Sequence, residues 1–232
     1  MTTPILLEIV DQLGSTSESL KHRAAAGAAP VALMARQQTT GHGRFRRPWR
    51  SPPGNLYLSV LLRPSAPLQP GHWSLLAGVA LATCLAATAP DIRLKWPNDV
   101  LLGGGKLAGI LVEADGAAPW LVLGFGVNLR SAPADLGRPT TCLADHTDPP
   151  PPEHLARTLL DQLDRWRHRY AMDGFPPILE AWRRFGPAPD DPVTVSTPDG
   201  PLRGRFAGIG PEGALLLQDG PEHRRILSGE VE

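Results

Sequence analysis

Lys95-Trp96-Pro97-Asn98-Asp99-Val100-Leu101-Leu102-Gly103-Gly104-Gly105-Lys106-Leu107-Ala108-Gly109-Ile110-Leu111-Val112-Glu113 reads as short apolar runs joined through three consecutive glycines. Glycine supplies the positive φ that a tight hairpin turn requires, so the stretch predicts two paired strands. Folding back through the glycines would bring Lys106 towards Asn98 and Asp99, placing a cation and a carboxylate on one side of a cleft. Lys95 and Lys106 are two of only three lysines in a chain with twenty arginines, and Asn98 is one of three asparagines. Where arginine is the default cation, a retained lysine marks a position that needs its compact ammonium.

Working outward, residues 92–96, 100–102, 107–113 and 120–127 are strand-like runs separated by turn residues. Upstream, 31–37 and 55–63 predict two more strands. A first helix is expected from Ser15 to about Ala26, stopped by Gly27. Ser15 with Glu18 has the spacing of a capping box. Residues 73–87 predict a second helix. Its extension to Ala89 is nearly all apolar but carries Ser74, Gly78, Thr83 and Thr88, which favours a buried helix over a membrane span. Downstream, 153–170 and 178–185 have helical spacing. Gly186-Pro187-Ala188-Pro189 predicts a linker. Beyond it 193–195, 202–207, 214–217 and 224–227 are strand-like, with Asp199-Gly200 and Asp219-Gly220 turns between some of them. The fold class is therefore α+β, with a catalytic-sized domain over 1–188 and a small all-β domain over 189–232.

The 232 residues carry 23 basic and 23 acidic side chains, so no global field would draw the protein to nucleic acid or a membrane. Residues Met1 to Val10 lack the basic start and small-residue cleavage site of a signal peptide. Cys84 and Cys142 lie far apart in apolar contexts, which suggests neither a disulfide framework nor a metal site and fits a reducing cytoplasm. Any anion site must be local, and the loop Gln38-Thr39-Thr40-Gly41-His42-Gly43-Arg44-Phe45-Arg46-Arg47-Pro48-Trp49-Arg50 is where it would lie. Its glycines would let backbone N–H groups approach a ligand, and its four arginines can each grip two oxygens. The alternative is a solvated basic loop. It is neither a Walker A loop nor a dinucleotide fingerprint, and the chain has no Gly-x-Ser-x-Gly or HExxH motif. Gly124-Phe125-Gly126-Val127-Asn128 ends an apolar strand, where a lone Gly-x-Gly is weak evidence that can simply mark a bulge.

In order along the chain stand Ser15-Thr16, Gln38 to Arg44, Trp49 to Ser59, Lys95 to Asp99, Lys106 to Glu113 and Gly124 to Asn128. That series resembles the catalytic region of the biotin protein ligases, and the tail from Gly213 to Val231 resembles their C-terminal domain. The resemblance implies a core related to lipoate ligases and class II aminoacyl-tRNA synthetases, with a small SH3-like β-barrel after it. It implies an ATP-dependent enzyme that forms biotinyl-5′-adenylate and hands biotin to a lysine of a biotin carboxyl carrier protein. By matched position, Ser15, Thr16, Ser17, Gln38, Gly41, His42, Gly43, Arg44, Lys106 and Gly109 would bind biotin or its adenylate. Arg47 and Asn128 would meet the nucleotide, and Lys106, Arg44 and Asp99 would be catalytic. ATP would arrive with Mg²⁺. No metal ligands are assigned, since Asp99 could orient either the incoming lysine or an ion. A homodimer is left open. The resemblance begins almost at Met1, so no DNA-binding domain and no specific DNA binding are expected.

Three features depart from or compete with that pattern. His42 stands where the family usually has arginine. Phe45 and Arg46 replace a common Arg-Gly spelling, which puts the loop's closure in question. A lipoate ligase, or a non-catalytic biotin-binding regulatory protein, are the rival readings. Lys106 with Arg44 speaks against the latter, because a binder of an uncharged ring needs neither.

Overall fold

The chain in the computed structural model, described over residues 5–64, 69–114, 120–134 and 137–232, begins at the edge of a sheet. The first four residues of the Met1–Val10 stretch lie outside the described residues. β1 (Leu6–Leu13) pairs in parallel with β2 (Val31–Gln38), and α1 (Thr16–Ala25) connects them. β1 is not among the strands expected from sequence. It is a partly exposed edge strand held by main-chain pairing on one side, so its short pattern broken by Asp11 and Gln12 carries little signal.

The sheet continues through β3 (Leu56–Leu62), and α2 (Pro70–Leu85) leads to β4 (Arg93–Lys95), β5 (Asp99–Leu102), β6 (Gly105–Ala114) and β7 (Leu121–Val127). Its order is β1-β2-β3-β7-β6-β5-β4, antiparallel everywhere but at β1–β2. Both faces are covered, as the alternation along β2 requires. Val31 and Leu33 join Leu20 and Ala24 of α1 in a smaller core, while Ala32 and Met34 belong to the main core with α2. Twelve residues of α2 are buried, which explains why it is apolar all round. Among the described residues no helix is long and apolar enough to cross a membrane.

The β5–β6 hairpin forms as the glycines predict. Gly103 and Gly104 take φ of 56° and 79°, the pair of positive values that a two-residue turn of the favoured twist demands. Its register then slips: Val100 faces Ala108, but Leu101 faces Lys106, leaving Leu107 as an extra residue. This bulge sets the site. Without it Lys106 would pair with Leu102, on the core side; with it Lys106 shares the cleft face with Asp99 while Leu107 is buried.

α3 (Pro152–Asp173) and α4 (Pro176–Arg183) pack on α2, close to the spans expected. The segment 186–189 is not a loose tether. Phe185 accepts a backbone hydrogen bond from Leu94, and a Cβ at Gly186 would stand 2.4 Å from the Trp182 ring. β8 (Pro192–Thr197), β9 (Gly200–Ile209), β10 (Leu215–Asp219), β11 (Glu222–Ile226) and β12 (Glu230–Val231) make an antiparallel sheet in the order β11-β10-β9-β8-β12. Among the described residues β11 and β12 do not pair, so the expected barrel is found as an open five-stranded sheet. Val195, Phe206, Leu215 and Leu217 of that sheet share the main core, where the Trp182 and Phe206 rings lie 5.9 Å apart.

Candidate active site

The N-terminus of α1, the loop after β2, the β5–β6 hairpin, β7 and the C-terminal strand β12 converge on one open cleft of about 690 Å³. A smaller space of about 330 Å³ adjoins it. Pro48, Trp49, Lys106 and Arg138 line both.

One end is polar but uncharged. Ser15 caps α1, its Oγ accepting from the Glu18 N–H at 3.4 Å. The capping box is half-made, because the Glu18 carboxylate turns instead to Lys21 at 3.3 Å and Arg46 at 2.5 Å. The Thr16 N–H donates to Gln38 Oε1 at 2.8 Å, and the Thr16 hydroxyl lies 2.8 Å from that of Ser59. Gln38 Nε2 donates to Ser51 Oγ at 3.1 Å, and Ser59 donates weakly to Ser17. A network with donors and acceptors of both kinds suits a small neutral polar ring.

The other end is cationic. Lys106 and Asp99, 8% and 9% exposed, form a buried ion pair. Burial pushes the Lys106 ammonium below the usual lysine range and Arg138 adds to that, while Asp99 and Glu230 oppose it. Arg44 Nη1 donates to Asn98 Oδ1 at 3.3 Å and to the Gly229 carbonyl at 3.1 Å. Burial lowers its guanidinium's affinity for the proton, against the pull of Glu230 and Asp99. Arg47 Nη1 spans both Glu230 oxygens at 3.0 and 2.7 Å. Burial alone would raise the Glu230 carboxyl, but Arg47, Arg44 and Lys106 together hold it below the ordinary range.

Trp49 stands where the main cleft meets the smaller space, lining both. A Cβ at Gly126 would meet its indole at 2.5 Å and one at Gly109 at 3.2 Å, so both glycines exist to let the ring lie on the sheet. Lys106 Nζ sits 5.6 Å from the ring centroid, and Trp49 Nε1 is buried with no hydrogen-bond partner among the described residues. Leaving such a donor unmet costs about 1–3 kcal/mol, which a ligand acceptor would recover.

Of the residues expected to form the site, Ser15, Thr16, Ser17, Gln38, His42, Gly43, Arg44, Arg47, Asp99, Lys106 and Gly109 line the main cleft. Several act differently from expectation. Gly41 is needed for packing, since a Cβ there would stand 2.7 Å from Ser51 Oγ and 2.8 Å from the Trp49 carbonyl. The Gly43 N–H is already given to the Arg47 carbonyl at 2.9 Å, so it is not a ready anion donor. The His42 side chain is 10% exposed and its Nε2 lies 3.4 Å from Glu18 without a hydrogen-bond partner among the described residues, so the ring is tucked into the loop but not tied there. Arg46 turns away to Glu18, and Phe45 and Arg46 hold φ of 56° and 58° where a glycine would be unstrained. Asn128 lines the second space, while its Nδ2 donates to the carbonyls of Lys106 at 3.4 Å and Thr141 at 3.2 Å. Sequence reasoning missed Trp49 as the dividing wall, Glu230 and Arg138. The glycine spacing in β6 and β7 was the available sign for Trp49; Glu230 lies in the tail that resembles the family's C-terminal domain, without a site role being read there, and Arg138 has no sign.

A cleft with a neutral polar end and a cationic end that holds a buried lysine belongs to the class of ligases that join a small acid to a phosphate donor. The model of the Biotin/lipoate A/B protein ligase family matches residues 10–128, and that of the Biotin protein ligase C terminal domain matches 191–232. The chain is 36% identical to a biotin–acetyl-CoA-carboxylase ligase of Paracoccus denitrificans over 84% of this chain and 86% of that one. It is also 36% identical to one of Mycobacterium tuberculosis, over 97% and 88%. The crystal structure of the biotin protein ligase from Aquifex aeolicus in complex with biotin and ATP superposes with a TM-score of 0.86 at 26% identity, covering 98% of this chain and 97% of that one. The chain belongs to the biotin protein ligase family.

Proposed function

We propose that this chain is an ATP-dependent biotin protein ligase that forms biotinyl-5′-adenylate and transfers biotin to a lysine of a biotin carboxyl carrier protein. One observation carries the reading: the buried Lys106 lines one cleft with both an uncharged polar network and a group of arginines, and it also lines the smaller space beside it. Biotin's ring would take the Ser15–Ser17, Gln38 and Ser59 network. Its carboxylate would then point at Lys106, with the α-phosphate reaching the same ammonium from the other side. Attack builds negative charge where Lys106 and Arg44 already stand, which is preorganised electrostatic stabilisation. The carboxylate forms a bond to the α-phosphorus and pyrophosphate leaves with the electron pair. No protein nucleophile is needed, because holding the reactants aligned supplies the rest. The carrier lysine then attacks the activated carbonyl and AMP departs. Arg47 and Asn128 serve the nucleotide, and the C-terminal sheet is read as the SH3-like unit that brings Glu230 to the loop.

Asp99 and Glu230, the carboxylates that line the cleft among the described residues, each already hold a cation, so neither is uncommitted for a resident metal. Mg²⁺ is assigned only as the ion that enters on the nucleotide. The free Cys84 and Cys142 fit a reducing cytoplasm, where we place the reaction.

The test is pyrophosphate release with MgATP and either biotin or lipoate. Biotin gives pyrophosphate and a bound adenylate, and lipoate does not. Comparable turnover with lipoate makes the chain a lipoate ligase, and release with neither leaves a non-catalytic binder.

A further inference from the structure

Arg138 is placed beside the reacting centre by a built connection. The Lys106 N–H donates to the Pro139 carbonyl at 3.0 Å and the Thr141 N–H to the Lys106 carbonyl at 3.1 Å, with Thr140 and Lys106 in a parallel bridge. The Thr140 hydroxyl also bonds the Pro133 carbonyl, which closes the loop back on itself. Arg138 thus adjoins a segment bridged to Lys106, and it lines both halves of the cleft. Its charge is felt at Lys106, whose proton affinity it lowers.

Three other cations of the main cleft are engaged: Lys106 with Asp99, Arg47 with Glu230, Arg44 with Asn98 and the Gly229 carbonyl. Among the described residues no carboxylate pairs with Arg138, which is exposed at the cleft mouth. With no carboxylate on it among the described residues, the exposed guanidinium beside Lys106 is open to an incoming anion. We infer that Arg138 grips the β- and γ-phosphates of ATP and stabilises the pyrophosphate that leaves. The inference rests on the adenylating role proposed above. As the biotin carboxylate oxygen bonds to the α-phosphorus, the bond to the bridging oxygen breaks and its electron pair goes out on pyrophosphate. The planar guanidinium meets that added charge with two N–H groups.

The direct probe is inorganic pyrophosphate, titrated calorimetrically into the full chain and into Arg138→Ala. The substitution is expected to weaken pyrophosphate at least about tenfold, while affinity for synthetic biotinyl-5′-adenylate, which lacks those phosphates, stays within about twofold. Single-turnover adenylation from MgATP slows, and Arg138→Lys recovers part of the loss. Thermal melts match, since the side chain is exposed. Unchanged pyrophosphate affinity, or an equal loss for the adenylate, overturns the inference. So does a variant that keeps pyrophosphate but loses carrier biotinylation, which would assign Arg138 to the carrier. If the intact chain binds pyrophosphate through Arg138 yet forms no adenylate, the functional reading fails and the anion site stands.

Discussion

Gly109 of β6 and Gly126 of β7 stand directly opposite each other across the ladder, and the indole of Trp49 lies over the pair. Any side chain at either position would lift the ring from the sheet. With two Cβ atoms missing, the strands present a flat patch where an aromatic wall can divide the cleft. Among the described residues the ring's Nε1 has no hydrogen-bond partner, so packing on these glycines positions it.

Gly126→Ala is therefore expected to tilt Trp49, since the new methyl would sit 2.5 Å from the ring. Overpacking of this kind costs about 1–3 kcal/mol, on the order of ten- to a hundredfold in affinity if it falls on the site. Biotin and ATP should both weaken, because the wall serves both sides. Gly109→Ala should do the same more mildly, with 3.2 Å available. Calorimetry with each ligand checks this, and loss of one ligand alone would show that Trp49 does not divide the cleft.

Arg44→Ala should weaken retention of the adenylate by about tenfold or more, because a charged donor to phosphate is lost. It also releases the Gly229 carbonyl and Asn98, so the loop and β12 should loosen together. His42→Arg should keep or improve biotin affinity. The longer cation still reaches Glu18, which already faces His42 at 3.4 Å. Dissociation rates of preformed adenylate measure the first effect and equilibrium biotin titration the second. Lost biotin binding in His42→Arg with Arg44→Ala unaffected would contradict the assigned roles.

Glu230 links pH to stability. Its carboxyl titrates below its ordinary value of 4.5 in the folded chain because Arg47, Arg44 and Lys106 outweigh burial. The contribution is thus fully present above pH 4.5 and is lost as the pH falls through the lowered folded value. Glu230→Gln should melt below the parent at neutral pH. The gap should close on acidification below that point, while the losses from Glu18 and Asp145 continue in both chains. A gap that stays constant with pH would mean that Glu230 acts by shape and not by charge.

Much of this arrangement was legible in the sequence, and the reasons differ by residue. The glycine hairpin showed itself because only glycine takes two successive positive φ values cheaply, and it carried Lys106 back to Asp99 as expected. The bulge that turns Lys106 to the cleft was not visible, since register is settled by pairing between strands. Two of the three scarce asparagines, Asn98 and Asn128, do line the site, and all three act as clamps. Asn55 accepts from the N–H groups of Leu129, Arg130 and Ser131, Asn98 ties Ile110, and Asn128 ties Lys106 to Thr141. Glu230 and Arg138 lie 131 and 39 residues on from Asp99 in the numbering (230 − 99 and 138 − 99) and in unremarkable contexts. Only the folded chain brings them to the cleft. β1 escaped because its stability is main-chain pairing at an edge.

Lys106 carries the heaviest expectation. Its ammonium stands 8% exposed beside Asp99 and at the boundary of both cleft halves. Removing one preorganised charge from a developing phosphate typically costs roughly 3–4 kcal/mol, or about a hundred- to a thousandfold in rate. Lys106→Ala should slow single-turnover adenylation at least that far, and Lys106→Arg should rescue little, because a planar fork does not replace a point charge in a tight site. From sequence alone Lys106→Ala is expected to fold normally. The buried pair changes that expectation, for the substitution strands the Asp99 carboxylate, at a cost of about 3–5 kcal/mol. Its melt should fall accordingly. The double variant Lys106→Met with Asp99→Asn removes both charges, so its melt should recover while adenylation stays lost. Recovery of adenylation in that double variant, or near-native rates in Lys106→Ala, would show that the ammonium holds the hairpin together and does not act on the phosphate.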